Sequence, residues 1–494
     1  MIVAALILIP FIFGLISLFA SKYAKYTSLV GALAFATISL GMVYTDLSTT
    51  ATLNCNVPWV PSLGISLIFN IDGINAILLL LTAVITPLII ISSFSGREYS
   101  DNANFYALIS FMQCALAGVF TANDLFCFYI FWELALIPIY FICAIWGGEN
   151  RIQVTFKFFI YTIFGSLFML AGIITLYLQT PAPHSFDWNV LNTLDSVDDL
   201  TEIFIFICFS LGFAIKMPIF PLHTWQPTTY AVSPTPGTML LSGIMLKMGI
   251  WGFIHWVLPI TPQSFIAWQN IFITISVTGI VYASVIAIMQ TDYKKLVAYS
   301  SIAHVGMIAA GLFTTNIEGV QGAVIQMFSH GVNVVGLFFV LEIIHRRTGT
   351  YTIAHLGGIA HKAPFLSVCF VIIMLGTVAL PLTNGFVGEF LLFTSLFKYQ
   401  PVLCTTAGVS VILGAVYMLR MYKSIMLGST NDITQNFTDI TFEEKVVLVP
   451  ICLIIIAMGV YPNMILSISE PYSYDIVNFI KDNRTDILTY INTK

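Results

Sequence analysis

Long apolar runs separated by short polar connections fill most of this chain. A transmembrane helix needs roughly 20 mostly apolar residues. Runs of about that length predict fourteen spans, near residues 2–20, 26–44, 74–94, 104–122, 125–145, 155–179, 202–222, 236–258, 268–289, 295–314, 319–345, 364–396, 402–427 and 445–467. The pattern therefore predicts an all-α polytopic membrane protein, with residues 1–494 forming a single membrane domain.

Residues that break helices interrupt two of these spans. Pro218 and Pro221 lie in the seventh span, and Pro381 lies within the twelfth run, which is too long for one simple helix. Proline removes a backbone donor and interrupts the helical hydrogen bonds. Broken helices near the midplane are typical of transporters built from inverted repeats. We therefore expect two inverted five-helix repeats, each with a broken helix, over residues 104–258 and 268–427.

Charged residues in the loops differ between the two sides of the membrane. One set of loops carries most of the Lys and Arg, for example Lys294 and Arg346, whereas the loop between spans six and seven carries acids such as Asp187 and Asp198. Short loops rich in Lys and Arg remain on the cytoplasmic or matrix side. We call these two sides the basic-loop side and the acidic-loop side.

Composition supports the membrane class and excludes several functions. The 494 residues are 58% hydrophobic and 9% charged, whereas soluble domains carry about 25% charged residues. A net charge of −5 without a basic cluster disfavours nucleic-acid binding. The eight cysteines form no C-x-x-C pair, so we predict no zinc, iron–sulfur or haem site in this chain.

Six ionisable side chains lie inside the predicted spans, where lipid makes them costly. A charged residue at the centre of a membrane helix costs about 2.5–3.5 kcal/mol even on lenient insertion scales. The six lie on spans five, seven, eight, ten, eleven and twelve: Glu133, Lys216, Lys247, His304, His330 and Glu389. Lys157, at the start of span six, is either buried or reaches towards the membrane surface.

Two interpretations of these six groups are open on the residues alone. They can be buried ion pairs and hydrogen-bonded histidines that lock helices together. Alternatively, they can form a line along which protons pass. Burial disfavours the charged form of both Lys and Glu, so making and breaking a Glu133–Lys216 pair would change the proton affinity of Lys216. Six such groups on six helical regions favour the second interpretation.

Several segments resemble the antiporter-like membrane subunits of respiratory complex I. In chain order they are FWELALIPIY (Phe131–Tyr140), WGGENRIQVTFKFFIYT (Trp146–Thr162), FAIKMPIFPLHTW (Phe213–Trp225), QTDYKKLVAYSSIAHVG (Gln290–Gly306), QMFSHG (Gln326–Gly331) and VALPLTNGFVGEF (Val378–Phe390). The large subunits of multisubunit sodium/proton antiporters and subunits of membrane-bound hydrogenases belong to the same family. Glu389 favours the branch of complex I subunits lettered M, called chain 4 in mitochondria, because the relatives usually carry Lys there.

The resemblance implies a proton-relay role for each candidate residue. By motif, Glu133 and Lys216 match the family's essential ion pair, and Lys247 matches its central relay lysine. Glu389 matches the terminal proton site, and His304 and His330 match positions between Lys247 and Glu389. After Trp225 the family often has Leu-Pro-Asp-Ala-His-Thr-Glu-Ala-Pro, whereas residues 226–234 here are QPTTYAVSP. Any role of those absent Asp, His and Glu residues therefore does not transfer to this chain.

The resemblance also implies a function and partners. We expect a proton-translocating membrane-arm subunit of NADH:quinone oxidoreductase, without redox chemistry or a cofactor of its own. NADH, FMN, iron–sulfur clusters and quinone are then expected in partner subunits, with L-like and N-like membrane subunits as neighbours. The alternatives are a sodium/proton antiporter subunit, a hydrogenase membrane subunit and a structural scaffold. We expect a bacterial inner membrane, with the mitochondrial inner membrane as the alternative.

Overall fold

The computed structural model of the protein describes residues 2–43, 54–95, 99–194 and 198–493. The helices of the first half are α1 (Ile2–Phe19), α2 (Ala24–Val43), α3 (Gly73–Ser92), α4 (Ala103–Thr121), α5 (Leu125–Leu134), α6 (Leu136–Trp146), α7 (Arg151–Gln179), α8 (Trp188–Leu191), α9 (Asp199–Lys216), α10 (Gln226–Val232) and α11 (Thr235–Leu240). Those of the second half are α12 (Lys247–Gly252), α13 (Leu258–Ile260), α14 (Pro262–Met289), α15 (Tyr293–Phe313), α16 (Ile317–Thr348), α17 (Ile359–Lys362), α18 (Pro364–Thr377), α19 (Asn384–Tyr399), α20 (Pro401–Met426), α21 (Phe442–Val460) and α22 (Asn463–Thr493).

The predicted membrane fold is confirmed as mostly helical. Within the described ranges, ten helices are long and apolar enough to cross a membrane, or eleven if the bent pair α21–α22 counts as one span. The other predicted spans coincide with α2, α9 and the broken pair α18–α19. The count of fourteen spans and the two inverted repeats stay predictions.

Two predicted helix ends are wrong, and both corrections have a local cause. The seventh span, predicted to reach residue 222, ends at Lys216, because Pro218 and Pro221 cannot continue its hydrogen bonding. The last span, predicted to reach residue 467, ends at Val460, and α21 and α22 meet at 62°. Pro462 lies in this bend. The final helix α22 then runs on through residues too polar to be predicted as a span.

A short hairpin is an addition to the helical fold that the sequence pattern did not predict. Strands β1 (Cys55–Val60) and β2 (Ile65–Phe69) pair antiparallel. Gly64, between them, has φ +66°, a left-handed conformation that glycine adopts without a steric cost. The backbone N–H of Ser66 donates to the Asp124 carboxylate (3.1 Å), which fastens the hairpin to the start of α5.

Aspartates cap the helices that carry two of the candidate charges. Asp124 accepts backbone hydrogen bonds from Phe126 and Cys127 at the start of α5, and Asp292 accepts them from Lys294 and Lys295 at the start of α15. The first N–H groups of a helix lack intrahelical partners, and unsatisfied backbone groups are costly next to lipid. The caps therefore fix where the helices of Glu133 and His304 begin.

The most deeply buried helices of the bundle carry two of the six candidate charges. The most apolar windows of α16 and of the segment Thr235–Ile260 are entirely buried, whereas only 22% of that window of α20 is buried. Lys247 lies in the segment Thr235–Ile260, and His330 lies on α16. These two side chains are therefore shielded from lipid by the surrounding helices.

A buried ion-pair network ties the end of α16 to the start of α21 on the basic-loop side. The guanidinium groups of Arg346 and Arg347 donate to the two oxygens of Glu444 (2.5 and 2.7 Å), whose side chain is only 5% exposed. Removing one partner of a buried pair costs about 3–5 kcal/mol, because the other charges stay buried. We expect Glu444→Ala to destabilise the protein by that order, measured as a lower midpoint of thermal unfolding in detergent.

The neighbouring Glu443 offers a matched control for this stability prediction. Its side chain is exposed and lies on the same first turn of α21. Surface substitutions usually change stability by less than about 0.5 kcal/mol, so Glu443→Ala should leave the unfolding midpoint nearly unchanged. Equal shifts in the two variants would contradict the assigned role of the Glu444 network.

Candidate functional site

The structure places the six candidate side chains in two groups. The first group contains Glu133 on α5 and Lys216, the last residue of α9. Lys216 is 2% exposed, and its Nζ lies 5.2 Å from the ring centroid of Trp132, the residue before Glu133. A cation over an aromatic face is attracted by the ring quadrupole. This contact holds the Lys216 ammonium beside the helix that carries Glu133.

The predicted ion pair between Glu133 and Lys216 is open. In the described part of the chain these two side chains do not approach within the 4.0 Å of a salt bridge. Glu133 Oε1 is buried and has no hydrogen-bond partner. A buried acceptor without a partner is costly. A shift of neighbouring groups that brings a hydrogen-bond donor to this oxygen would therefore be favourable.

The second group begins at Lys247, which is fully buried. Its Nζ donates to the backbone carbonyl of Ser242 (2.6 Å) and lies 2.9 Å from His330 Nδ1. Residues Leu241–Met245 form a π-helical turn just before Lys247. Such turns often occur at functional sites because they change the regular pairing of backbone carbonyls. Here the Ser242 carbonyl accepts the lysine ammonium.

Two histidines continue the line from Lys247 towards Glu389. His330 Nε2 lies 3.0 Å from Ser301 Oγ, and the rings of His304 and His330 are 5.9 Å apart between centroids. His304 Nε2 in turn lies 3.5 Å from Glu389 Oε1. Lys247, His330, His304 and Glu389 therefore lie in one polar row through buried helices, with close contacts at both ends and a gap between the two histidines.

The break between α18 and α19 supports this end of the row. The carbonyl of Thr377, the last residue of α18, lies 3.0 Å from His304 Nε2. Ala379 and Leu382, in the break, have positive φ values of 56° and 73°, a conformation that is uncommon for residues other than glycine. The broken helix thus presents a free carbonyl to His304 at membrane depth, where it is shielded by protein.

Small cavities lie beside the row where its members do not touch directly. One cavity of about 20 Å³ lies next to His304, Glu389 and Tyr417, and another of about 10 Å³ lies between His304 and His330. A water molecule needs roughly 10–15 Å³ of such space and two or more polar partners. Single waters at these places would complete the connections between the side chains.

The structure does not join the two groups. Among the described residues, no hydrogen bond or ion pair connects Lys216 to Lys247, although their helices pack closely. At Gly249 a Cβ atom would come within 2.6 Å of the Phe213 carbonyl, so this glycine allows α12 to approach α9. The predicted line therefore runs from Lys247 to Glu389 with one small gap between the two histidines, and it is interrupted between Lys216 and Lys247.

Other polar residues near the row were not predicted from the sequence. Ser301 contacts His330, and Tyr417 donates to Ser300 (3.0 Å) beside the Glu389 cavity. Such uncharged residues are common in membrane helices and carry little signal by themselves. Lys157 is exposed and donates to the Thr224 carbonyl (3.2 Å), so of the two possibilities for this residue the structure supports the snorkelling one.

The chain matches a known protein family and is similar to named members of it. Residues 122–414 match the family described as NADH:quinone oxidoreductase/Mrp antiporter, TM. The chain is 38% identical over 413 residues to NADH-quinone oxidoreductase subunit M of Rickettsia prowazekii, covering 83% of each chain. It is 34% identical over 435 residues to NADH-ubiquinone oxidoreductase chain 4 of Marchantia polymorpha, covering 87% of this chain and 86% of that one.

Solved structures agree with these relatives. The chain is similar to one in respiratory complex I from Thermus thermophilus, with a TM-score of 0.90 and 29% identity over 97% of this chain and 100% of that one. A chain of the Mrp complex from Dietzia has a TM-score of 0.87 at 17% identity, over 97% of this chain and 98% of that one. The second likeness concerns the fold alone.

Proposed function

This chain belongs to the NADH:quinone oxidoreductase/Mrp antiporter family, and from that membership we propose how it moves protons. Its relatives are the subunits called M in bacteria and chain 4 in mitochondria. Like them, it is a proton-translocating membrane-arm subunit of NADH:quinone oxidoreductase. It lies in the inner membrane of a bacterium, with the mitochondrial inner membrane as the alternative.

The row from Lys247 to Glu389 carries the proposal. In the proposed cycle a proton on Lys247 passes to His330, then to His304 and finally to Glu389. Imidazoles suit this step, because each ring has one nitrogen that can accept while the other donates. Glu389 then releases the proton on the acidic-loop side. The distances of 2.9 Å and 3.5 Å at the two ends of the row support direct or singly bridged transfer.

The Glu133–Lys216 pair is proposed as the switch that drives the row. In the structure the pair is open, with Lys216 over the Trp132 ring. Closing it would bring a carboxylate to the ammonium and change the electrostatic field on the proton of Lys247. A field acts over several ångströms in a low-dielectric interior, so this coupling does not require a hydrogen bond between Lys216 and Lys247.

The chain is proposed to act as a non-redox subunit. Electron transfer from NADH to quinone, with FMN and iron–sulfur clusters, would take place in partner subunits of the complex. Membership in NADH:quinone oxidoreductase implies other subunits of that complex as partners. L-like and N-like membrane subunits are proposed as the immediate neighbours.

Purification from the native membrane tests this assignment. We expect the full chain, isolated in mild detergent, to bring with it flavin- and iron–sulfur-bearing subunits and NADH:quinone activity. Isolation with small membrane subunits and sodium-dependent exchange alone would indicate the antiporter alternative. Isolation with a nickel–iron enzyme would indicate the hydrogenase alternative.

Glu389→Gln should impair proton release while leaving assembly intact. The side chain lies next to His304 and is only 14% exposed, and glutamine keeps its shape but cannot carry the proton. Loss of a proton-transfer group typically costs 10²–10⁴-fold, so we expect proton pumping per NADH oxidised to fall by about 10-fold or more. Proton uptake into inverted vesicles measures this.

The exposed Glu470 of α22 serves as the control for this variant. Glu470 is not part of the row, so the Glu470→Gln variant should pump protons like the wild type. Normal pumping by Glu389→Gln would show that the terminal proton site lies elsewhere.

A further inference from the structure

A cavity of about 420 Å³ opens on the basic-loop side, away from the row described above. Its outer wall includes the exposed Gly148 and the half-exposed His345, and its inner wall includes Lys294 and Glu342, which are 3% and 5% exposed. The volume is enough for several waters, each of which occupies about 30 Å³ in the liquid. The cavity therefore brings solvent space to a carboxylate inside the bundle.

Glu342 is the carboxylate in this cavity. Of the described residues that line it, no other is an Asp or Glu. Residues 226–234, part of which form its wall, contain no Asp, Glu or His. The Thr235 hydroxyl donates to Glu342 Oε2 (2.5 Å), and Lys294 Nζ donates to the carbonyl of Ser233 in the same wall (2.7 Å).

From Thr235 a row of hydroxyls leads along one helix face to Lys247. Thr235, Thr238 and Ser242 are spaced three and four residues apart, which places them on the same face. Ser242 Oγ donates to the Thr238 carbonyl (2.7 Å), and Lys247 Nζ donates to the Ser242 carbonyl (2.6 Å). The hydroxyls of Thr238 and Ser242 each donate to a backbone carbonyl, and successive hydroxyls are about one turn apart, 5.4 Å, so a proton passes along this face when the hydroxyls rotate and waters enter between them. A hydroxyl can accept one proton while it donates another.

No comparable route runs along the helix of Glu342 itself. Residues 334–341 of α16, between Asn333 and Glu342, are all apolar or glycine: VVGLFFVL. One crossing from Glu342 towards Lys247 leads to the neighbouring segment Thr235–Ile260. The hydrogen bond from Thr235 is that crossing point.

We propose that Glu342 is the proton-uptake carboxylate of this chain, which takes protons from the 420 Å³ cavity and passes them along Thr235, Thr238 and Ser242 to Lys247. The proposal rests on the proton-translocating function argued above and names its uptake side. A purely structural lock between α16 and α11 would explain the Thr235 bond. It would not explain the solvent cavity on one side of the carboxylate and the hydroxyl row on the other.

Chemical rescue in the intact complex tests this role. Glu342→Ala should lower NADH:quinone turnover in inverted vesicles by about 10-fold or more. Formate, a small carboxylate that fits the enlarged cavity, should restore a large part of the turnover at millimolar concentration. A protonophore is present throughout, so that formic acid cannot act by collapsing the pH gradient. Thr235→Val, which removes the hydroxyl and keeps the shape, should lower turnover several-fold without rescue by formate.

Glu149 provides the matched control. It is an exposed glutamate on the basic-loop side, in the loop whose Gly148 lines the cavity. Glu149→Ala should keep wild-type turnover and show no response to formate. NADH oxidation by an artificial hydrophilic acceptor, which needs no proton transfer in this chain, measures assembly in every variant. If Glu342→Ala does not assemble, Glu342→Gln replaces it, because it preserves the shape.

The outcomes separate this proposal from the proposed function. Low turnover of assembled Glu342→Ala that formate does not raise would make Glu342 a structural lock and overturn the proposal. Wild-type turnover of Glu342→Ala or Glu342→Gln beside an inactive Glu133→Gln would also overturn it, while the pumping function stands. Wild-type turnover of Glu133→Gln would instead count against the proposed function itself.

Discussion

Glu133→Gln is expected to abolish pumping-coupled turnover, the largest effect predicted for this chain. The substitution removes one negative charge from a partly buried position and changes little in shape. Glu133 Oε1 has no hydrogen-bond partner in the structure, so the substitution breaks no hydrogen bond at this atom. If the open Glu133–Lys216 pair is the switch, the neutral amide cannot close it, and turnover should fall by about 100-fold or more.

This prediction is checked in inverted membrane vesicles. NADH:quinone turnover and proton uptake should both fall, whereas NADH oxidation by a hydrophilic acceptor should be retained. Glu149→Gln makes the same chemical change at an exposed position and should behave like the wild type. Full coupled activity of Glu133→Gln would show that Glu133 is not the switch and that the membrane fold merely tolerates this residue.

Lys247→Met should have a comparable effect for a different reason. Lys247 is fully buried, and its ammonium is the group that links the Ser242 carbonyl to His330 Nδ1. Methionine occupies a similar volume but carries no proton, so the row loses its first member. We expect coupled turnover to fall by about 100-fold. The lost hydrogen bonds should cost about 1–3 kcal/mol of stability.

Lys247→Arg separates a proton carrier from a fixed cation. Arginine keeps the charge and the donors but does not release its proton in proteins. A proton relay predicts that Lys247→Arg is assembled and inactive, whereas a helix-locking cation predicts that it is active. Turnover of NADH with quinone, divided by turnover with the hydrophilic acceptor, distinguishes the two. An active arginine variant would favour the scaffold interpretation of the buried charges.

Two helix breaks flank the proposed machinery, one next to the Glu133–Lys216 switch and one next to Glu389. Lys216 ends a helix before a proline-containing break, and Glu389 follows another break. Discontinuous helices near the midplane form the ion sites of many transporters. Lys247 and His330 lie between these two breaks along the chain, in segments whose most apolar windows are entirely buried.

The sequence by itself determined that six ionisable residues lie within apolar runs and that two of the spans contain helix-breaking prolines. Each of these depends on a local cost: a charge in an apolar run is costly wherever the run packs, and proline interrupts its own helix. The membrane fold, the six candidate residues and the break at Pro381 could therefore be predicted. Local cost also explains the misplaced end of the seventh span, where the prolines ended the helix six residues earlier than predicted, at Lys216 instead of residue 222.

Only the tertiary structure decided which of these groups meet. Lys247 meets His330 across 83 residues of sequence, and Thr235 meets Glu342 across 107. The open Glu133–Lys216 pair, and the gap between Lys216 and Lys247, likewise depend on how helices pack. A hydrogen bond forms only within a few tenths of an ångström of its preferred length, and no periodicity of the chain specifies interhelical distances that closely. The contact of Glu342 with Thr235, and the role proposed for Glu342, therefore could not be predicted from the sequence.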